Sequence, residues 1–213
     1  MISLYFDCSR GLSGQMIVGA LCDVGAKPSA MEWELAQVDL GSCHTHFERE
    51  TEAGVTGVRF TIHEGAEHTP DQNKRSGHEH AHHHQHHGEH DDHLPHRVDK
   101  LLVSVNSSAL SDPVKIRVAS VFTRLGQTHD ALSLEEAAAV ICASAAIYAL
   151  KPGRVAFFNR EGTMDATVDA GAAFAAEFVS SSTPMPDRKP TAAGCGLGVE
   201  GQSMRVVLAD VPV

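Results

Sequence analysis

The stretch ISLYFDCSRGLSGQMIVGALCDVG, residues Ile2–Gly25, decides how this chain begins to fold. ISLYF is a short apolar run typical of a buried strand, and the polar stretch DCSRGLSG that follows is typical of a turn. Apolar residues then recur at helical spacing up to Gly25, a residue type that often ends helices. The predicted opening unit is therefore a strand, a glycine-bearing turn and a helix.

This turn contains the candidate binding residues for an anionic ligand. Helix N-termini offer free N–H groups and the positive end of the helix dipole, which favour phosphate or carboxylate. Cys8 has two interpretations: it is either a small buried side chain or a thiolate ligand whose pKa is lowered near the helix start. The candidate cofactor-binding residues are Asp7, Cys8, Ser9, Gly11, Ser13 and Gly14.

A second candidate site is the stretch HEHAHHHQHHGEHDDHLPH, His78–His96, which holds ten of the fifteen histidines in the chain. Neutral imidazole suits nickel, copper, zinc and cobalt ions. Because no foursome has the defined spacing of a structural zinc site, we expect an adaptable metal trap rather than one rigid site. The alternative is a solvated spacer that binds metal incidentally. The predicted metal ligands are His78, His80, His82, His83, His84, His86, His87, His90, His93 and His96.

The rest of the sequence mixes strand and helix signals, which predicts an α+β fold. We expect a mixed sheet, several packed helices and a long disordered histidine-rich loop, all in one domain over residues 1–213 with 64–96 as a mobile insertion. Residues 43–51 and 55–63 read as two strands of a hairpin joined at Ala53-Gly54, and the side chains of the second alternate in polarity. Helical spacing resumes near Val98, and the last strand is expected over Ser203–Ala209.

Three local motifs sharpen this outline. SDP at Ser111–Pro113 predicts a helix start with a capping side chain and a proline in the first turn. SLEE at Ser133–Glu136 predicts a capping box for an alanine-rich helix that runs to about Leu150 and allows close backbone packing. AAGCGLGVEG at Ala192–Gly201 evokes a dinucleotide loop, but a strand follows it, so a glycine-rich hairpin or bulge is favoured.

Composition limits the class of protein. The formal charge of −10 argues against a nucleic-acid surface and suits a protein that attracts cations. Five scattered cysteines without a C-x-x-C pair favour a reducing cytoplasm. The longest weakly polar run, Ala137–Leu150, has fourteen residues, fewer than the roughly 20 that span a bilayer. His129 reads as a helix-end histidine, whereas Asp165 and Asp169 could form a carboxylate pair or be solvated.

The opening LYFDCSRGLSGQMIVGALCDVGA resembles the start of the LarC family, the nickel-insertion proteins of the lactate racemase system. The order of hairpin, histidine-rich insertion and helical pair is also similar to that family. The resemblance implies insertion of Ni²⁺ into a pyridinium bisthiocarboxylate mononucleotide, in which carbon and sulfur hold the metal. The histidines would collect Ni²⁺, and the first turn would hold the precursor with its phosphate at the helix N-terminus.

The resemblance also has departures, which favour an alternative. Gln15 stands where the family usually has an acid, and nothing here matches the family's C-terminal part, which is associated with cytidine triphosphate binding. The alternative is a non-catalytic nickel storage or metallochaperone module acting with a separate partner, such as a C-terminal half. We further expect a cytoplasmic homo-oligomer; a zinc hydrolase is disfavoured because it needs ligands on ordered elements.

Overall fold

The computed structural model of the chain describes residues 2–65, 95–158, 170–181 and 190–210, and confirms the α+β class with a mixed sheet. The nine predicted histidine ligands from His78 to His93, Asp165 and Asp169 lie outside the described residues. The elements in chain order are β1 (Ile2–Asp7), α1 (Gly14–Asp23), α2 (Pro28–Leu35), β2 (Cys43–Glu52), β3 (Val55–Glu64), β4 (His96–Arg97), α3 (Val98–Ser107), α4 (Asp112–Leu125), β5 (Ala131–Leu132), α5 (Leu134–Leu150), β6 (Arg154–Phe158), α6 (Ala170–Ala175), β7 (Val179–Ser181), β8 (Ala192–Leu197) and β9 (Ser203–Asp210).

Seven strands form one sheet in the order β2-β3-β8-β9-β1-β6-β7, while β4 and β5 form a separate pair. β1 runs parallel to β6 and antiparallel to β9, and β3 runs parallel to β8. β1 is therefore an interior strand, as its apolar sequence predicts. Phe6 of β1 stacks on Phe157 of β6 with ring centroids 4.4 Å apart, which places the first strand in the core.

The alanine-rich helix α5 lies at the centre of the helical layer. Ser133 and Glu136 form the predicted capping box, and every residue from Ala137 to Ile147 is buried. Small side chains let the backbones approach, since a Cβ on Gly14 would stand only 2.8 Å from Cβ of Ala139. The N-terminus of α1 is thereby held against α5. Within the described residues, no helix is long and apolar enough to cross a membrane.

The glycine-rich segment forms the first strand and the turn of a hairpin with β9, which confirms the glycine-rich hairpin favoured from the sequence. Gly194 and Gly196 belong to β8, which pairs with β9 and lies against α1. A Cβ on Gly196 would stand 1.9 Å from the carbonyl oxygen of Met16, and one on Gly194 would stand 2.7 Å from that of Ala20. The glycines are needed because helix and strand backbones touch there. The local periodicity of the sequence does not indicate this need for glycine.

The start of α4 is capped differently from the prediction. Ser111 occupies the N-cap position, but its hydroxyl makes no capping bond within α4. It donates instead to Oε1 of Glu34 at 2.5 Å, and the Ser111 N–H donates to Oε2 at 3.0 Å. Glu34 is buried and lies at the end of α2. A carboxylate at a helix N-terminus is favoured by the helix dipole, so Glu34 ties α2 to α4.

Replacing Glu34 with alanine is expected to lower the free energy of unfolding by about 2 kcal/mol, because the N–H and hydroxyl of Ser111 lose a charged acceptor in a buried place. Glu34→Gln keeps an acceptor oxygen and should lose roughly half as much. Urea unfolding followed by circular dichroism measures both. An alanine variant as stable as the wild type would contradict the role given to Glu34.

Candidate functional site

Three polar side chains stand in one row across the sheet where β1 ends. Asp7 of β1 is the direct partner of Arg205 on β9, and Arg205 is the direct partner of Cys195 on β8. Directly opposed residues in antiparallel strands point to the same face of a sheet. The row therefore brings together a carboxylate, a guanidinium and a thiol that are far apart in sequence.

Apart from Asp7, the polar residues in and around the turn after β1 have mainly structural roles. The N–H and hydroxyl of Ser9 both donate to Oδ1 of Asp7, at 3.0 and 2.5 Å, and Gly11 has a positive φ of 128°. Ser13 caps α1 by accepting the N–H of Met16 at 3.2 Å, and Gly14 is the buried first residue of that helix. Of the six residues predicted to bind a cofactor, Asp7 is the one that lines the arginine-bearing cavity beside this turn.

Cys8 is not the activated thiolate that one interpretation of the turn suggested. Its side chain is buried, with Sγ 3.8 Å from Sδ of Met204. Burial, and secondly the nearby charge of Asp7, raise the pKa of Cys8 to about 12. The neutral thiol is a core side chain, because removal from water disfavours the anion that would ligate a metal.

The cavity beside Asp7 has a volume of about 410 Å³ and is rich in arginine. Small-molecule sites commonly measure about 300–1,000 Å³. Its five charged lining residues come from four parts of the sequence: β1 with the turn after it, α1, β2 and β9. The lining residues are Asp7, Arg10, Asp23, Arg49, Val55, Thr56, Ala193, Gly194, Cys195, Ser203 and Arg205.

Asp23 and Arg49 stabilise one wall of this cavity. Oδ2 of Asp23 accepts the backbone N–H of Cys195 at 2.8 Å, and Oδ1 is bonded to Arg49. The Asp23 side chain is 8% exposed, whereas that of Arg49 is 64% exposed. The carboxylate thus serves as an acceptor for a strand N–H at the end of α1, and Arg49 balances its charge.

The other two arginines are available to a ligand. In the described part of the chain, neither Arg10 nor Arg205 forms an ion pair, and both are exposed. Both lie close enough to Cys195 to lower the pKa of its thiol, although burial and then Asp23 dominate and raise that pKa overall. With three arginines and two aspartates, the lining has a net charge of 3 − 2 = +1 in a chain of −10.

This arrangement is suited to a small anion. Guanidinium groups present a planar set of donors that match phosphate and carboxylate oxygens. Sequence reasoning missed Arg10, Arg49 and Arg205 because they come from a turn and two separate strands, with no spacing that links them. The only sequence signal is Arg205, a charged residue between the apolar residues Met204 and Val206 of β9.

Two of the described histidines, His96 and His129, were singled out from the sequence. His96 lies in β4, and its Nε2 is buried without a hydrogen-bond partner among the described residues. His129 follows α4, and its N–H bonds the carbonyl of Leu125 at 2.9 Å, so it is the helix-end histidine that the sequence indicated. Among the described residues, no three His, Cys, Asp or Glu side chains are arranged so that they could hold a metal ion.

Comparison with known proteins gives the family. The model of the family described as nickel insertion protein matches residues 4–141. A pyridinium-3,5-bisthiocarboxylic acid mononucleotide nickel insertion protein of Akkermansia muciniphila is 30% identical over 190 residues, covering 86% of this chain and 37% of its own. The protein of the same name from Staphylococcus epidermidis is 26% identical over 193 residues, covering 90% and 38%. No solved structure matches the chain.

Proposed function

Because the chain belongs to the nickel insertion protein family, we propose that it takes part in placing Ni²⁺ into a pyridinium bisthiocarboxylate mononucleotide. The relatives named above carry that substrate in their names. This chain spans less than two-fifths of their length, at 37% and 38%. Ni²⁺ is here the cargo of the reaction, and the mononucleotide is its acceptor.

The observation that carries the proposal is the arginine-lined cavity at the end of β1. The acceptor has a phosphate and two thiocarboxylate groups, so it is an anion. Arg10 and Arg205 are unpaired within the described residues and can hold such groups through charge-assisted hydrogen bonds. The cavity volume of about 410 Å³ lies within the range of small-molecule sites.

Asp7 is the proposed proton acceptor. A nickel–carbon bond formed at a ring carbon replaces a C–H bond, so one proton must leave as the metal arrives. Oδ1 of Asp7 is held by Ser9, while Oδ2 has no hydrogen-bond partner among the described residues, and Asp7 is one of the residues that line the cavity. A carboxylate fixed at one oxygen and open at the other is suited to take up that proton.

The histidine tract is proposed to supply the metal. Imidazole is a borderline ligand, and many alternative histidine sets exchange an ion more quickly than one closed tetrahedral site. Tethering such a trap to the same chain raises the local concentration of Ni²⁺ near the cavity. The proposed ligands remain the ten histidines from His78 to His96.

Insertion by the purified chain tests this function. The chain is incubated with the sulfur-bearing mononucleotide, Ni²⁺ and a nucleoside triphosphate, and the nickel-bearing product is measured by mass spectrometry. Deleting residues 76–95 is expected to slow insertion roughly 10-fold when Ni²⁺ is limiting, because the tethered supply is lost, and excess Ni²⁺ should restore the rate.

The control is a variant in which residues 76–95 are replaced by a glycine-serine linker of the same length, so that only the ligands change. A wild-type chain that binds Ni²⁺ but forms no product under any of these conditions would overturn the insertion role. That result would leave nickel storage, or delivery to a separate partner, as the activity.

A further inference from the structure

A second group of histidines lies outside the tract, on the β2–β3 hairpin. His44 and His46 are two residues apart on β2, and His63 of β3 is the direct partner of His44. This register puts all three on one face of the hairpin. Their ring centroids are 5.0 Å apart for His44 and His46, 5.6 Å for His44 and His63, and 5.4 Å for His46 and His63.

These separations are close to those of imidazoles that share one metal ion. With metal–nitrogen bonds of about 2.1 Å, ring centroids lie roughly 3.2 Å from the metal, and so about 4.6–5.3 Å from each other for bond angles between 90° and 109°. As they stand, the three side chains do not form a group that could hold a metal ion, so binding requires their rings to reorient. His44 and His46 are half-buried and His63 is exposed, which leaves these side chains able to change rotamer.

His44 is already oriented as metal-binding histidines usually are. Its Nδ1 lies 3.0 Å from the carbonyl oxygen of Gly65. A carbonyl only accepts, so Nδ1 carries the proton and Nε2 keeps its lone pair. A backbone carbonyl behind the ring is a common means of fixing the tautomer and direction of a ligating imidazole.

The hairpin gives the cluster a firm base. Thr45, Phe47, Phe60 and Ile62 alternate with the histidines, and the rings of Phe47 and Phe60 lie 5.1 Å apart on the core side. One face of the hairpin is thus anchored in the core while the histidine face remains open. Metal ligands on anchored strands are positioned more precisely than metal ligands on loops.

We propose that His44, His46 and His63 form a binding site for a borderline divalent cation, Ni²⁺ in this family, separate from the histidine tract. Three imidazoles leave at least one coordination position open for water or for an incoming ligand. Such a site binds firmly enough to hold an ion and still exchanges it. Ni²⁺ binding at the hairpin is measured without the insertion reaction. A negative result for this site therefore leaves the proposed insertion function standing, and the reverse is also true.

The test uses the full-length chain with ten histidines replaced by glutamine, namely His68 and the nine tract histidines from His78 to His93. Calorimetric titration with Ni²⁺ should find one ion per chain. Replacing both His46 and His63 with alanine in this background should weaken binding at least roughly 10-fold. His129→Asn is the matched control and should bind as its parent does. No Ni²⁺ binding in the parent, or equal binding after the double substitution, would overturn the site.

A second measurement uses the wild-type chain and does not depend on any variant. Diethyl pyrocarbonate modifies free imidazole nitrogens, and peptide mass spectrometry locates each modified residue. Ni²⁺ is added until the histidine tract is saturated, and then one further equivalent is added. This last equivalent is expected to protect His44, His46 and His63 from modification, while His129 is modified at an unchanged rate. Unchanged modification of all four residues would refute the site.

Discussion

Replacing Gly196 with valine is expected to leave the chain largely unfolded, and Gly196→Ala is expected to lower the free energy of unfolding by more than about 3 kcal/mol. The reason is the contact between β8 and α1. A single added carbon would stand 1.9 Å from the carbonyl oxygen of Met16 and 2.7 Å from the backbone nitrogen of Ala20. Both neighbours are backbone atoms of a helix, which cannot rotate away as a side chain can.

The strain would spread because α1 is held from several sides. Gly14 packs against α5, and Gly19 lies so close to β3 that a Cβ there would stand 2.3 Å from the carbonyl oxygen of Val58. Moving α1 away from β8 therefore breaks other contacts. Since domains are commonly stable by only about 5–15 kcal/mol, such a loss is a large part of the total.

Gly198→Ala is the matched control, because Gly198 lies two residues further along the same segment. A Cβ at Gly198 would meet Sδ of Met16 at 2.8 Å, and a methionine side chain can adjust. We expect this variant to lose only about 1 kcal/mol. Urea unfolding and thermal melting of the alanine variants measure the difference. If the Gly196→Ala and Gly198→Ala variants have the same melting temperature, the backbone of α1 does not contact β8 as described.

Local signals account for much of the predicted fold. The β1–α1 unit, the β2–β3 hairpin and the capping box of α5 each depend on residues close in sequence, and each was confirmed within a residue or two. Those elements follow from period-two and helical spacing, which need no knowledge of distant partners. The same holds for His129 at the end of α4.

Long-range contacts account for what the sequence could not indicate. Glu34 caps α4 across 77 residues, and the close approach of α1 requires glycine in β8, where the sequence indicated only a hairpin or bulge. The cavity lining is a stronger case, because Asp7 and Arg205 are 198 residues apart and become partners only through the order of the strands. Side chains that converge only in the folded chain leave no spacing to find.

The hairpin cluster and the cavity lie along the same pair of strands. Gly57 of β3 stands beside Cys195, in the row that contains Arg205 and Asp7. His63 is six residues further along β3, which at about 3.3 Å per residue places it roughly 20 Å beyond that row. An ion held at the hairpin is therefore not in contact with a ligand in the cavity, and a further transfer step must connect them.

Replacing Arg205 with glutamate is expected to weaken binding of an anionic pyridinium mononucleotide about 100-fold. The substitution removes a charge-assisted donor and adds a carboxylate opposite Asp7, its direct partner on β1. The lining would change from three arginines and two aspartates to two arginines and three acids, so its net charge would fall from +1 to −1. Arg205 is exposed, and so the fold should tolerate the change.

Nicotinic acid mononucleotide is a stable probe for this measurement, since it carries the phosphate and a ring carboxylate without sulfur. Titration calorimetry at low and moderate salt gives its affinity, which for the wild type should fall as salt screens the arginines. Arg154→Glu makes the same charge change on an exposed strand residue outside the cavity lining and should leave the affinity within a factor of about 2. Equal affinities for the Arg205→Glu and Arg154→Glu chains would mean that the anion binds elsewhere, and the cavity at Asp7 would then have no part in holding the precursor.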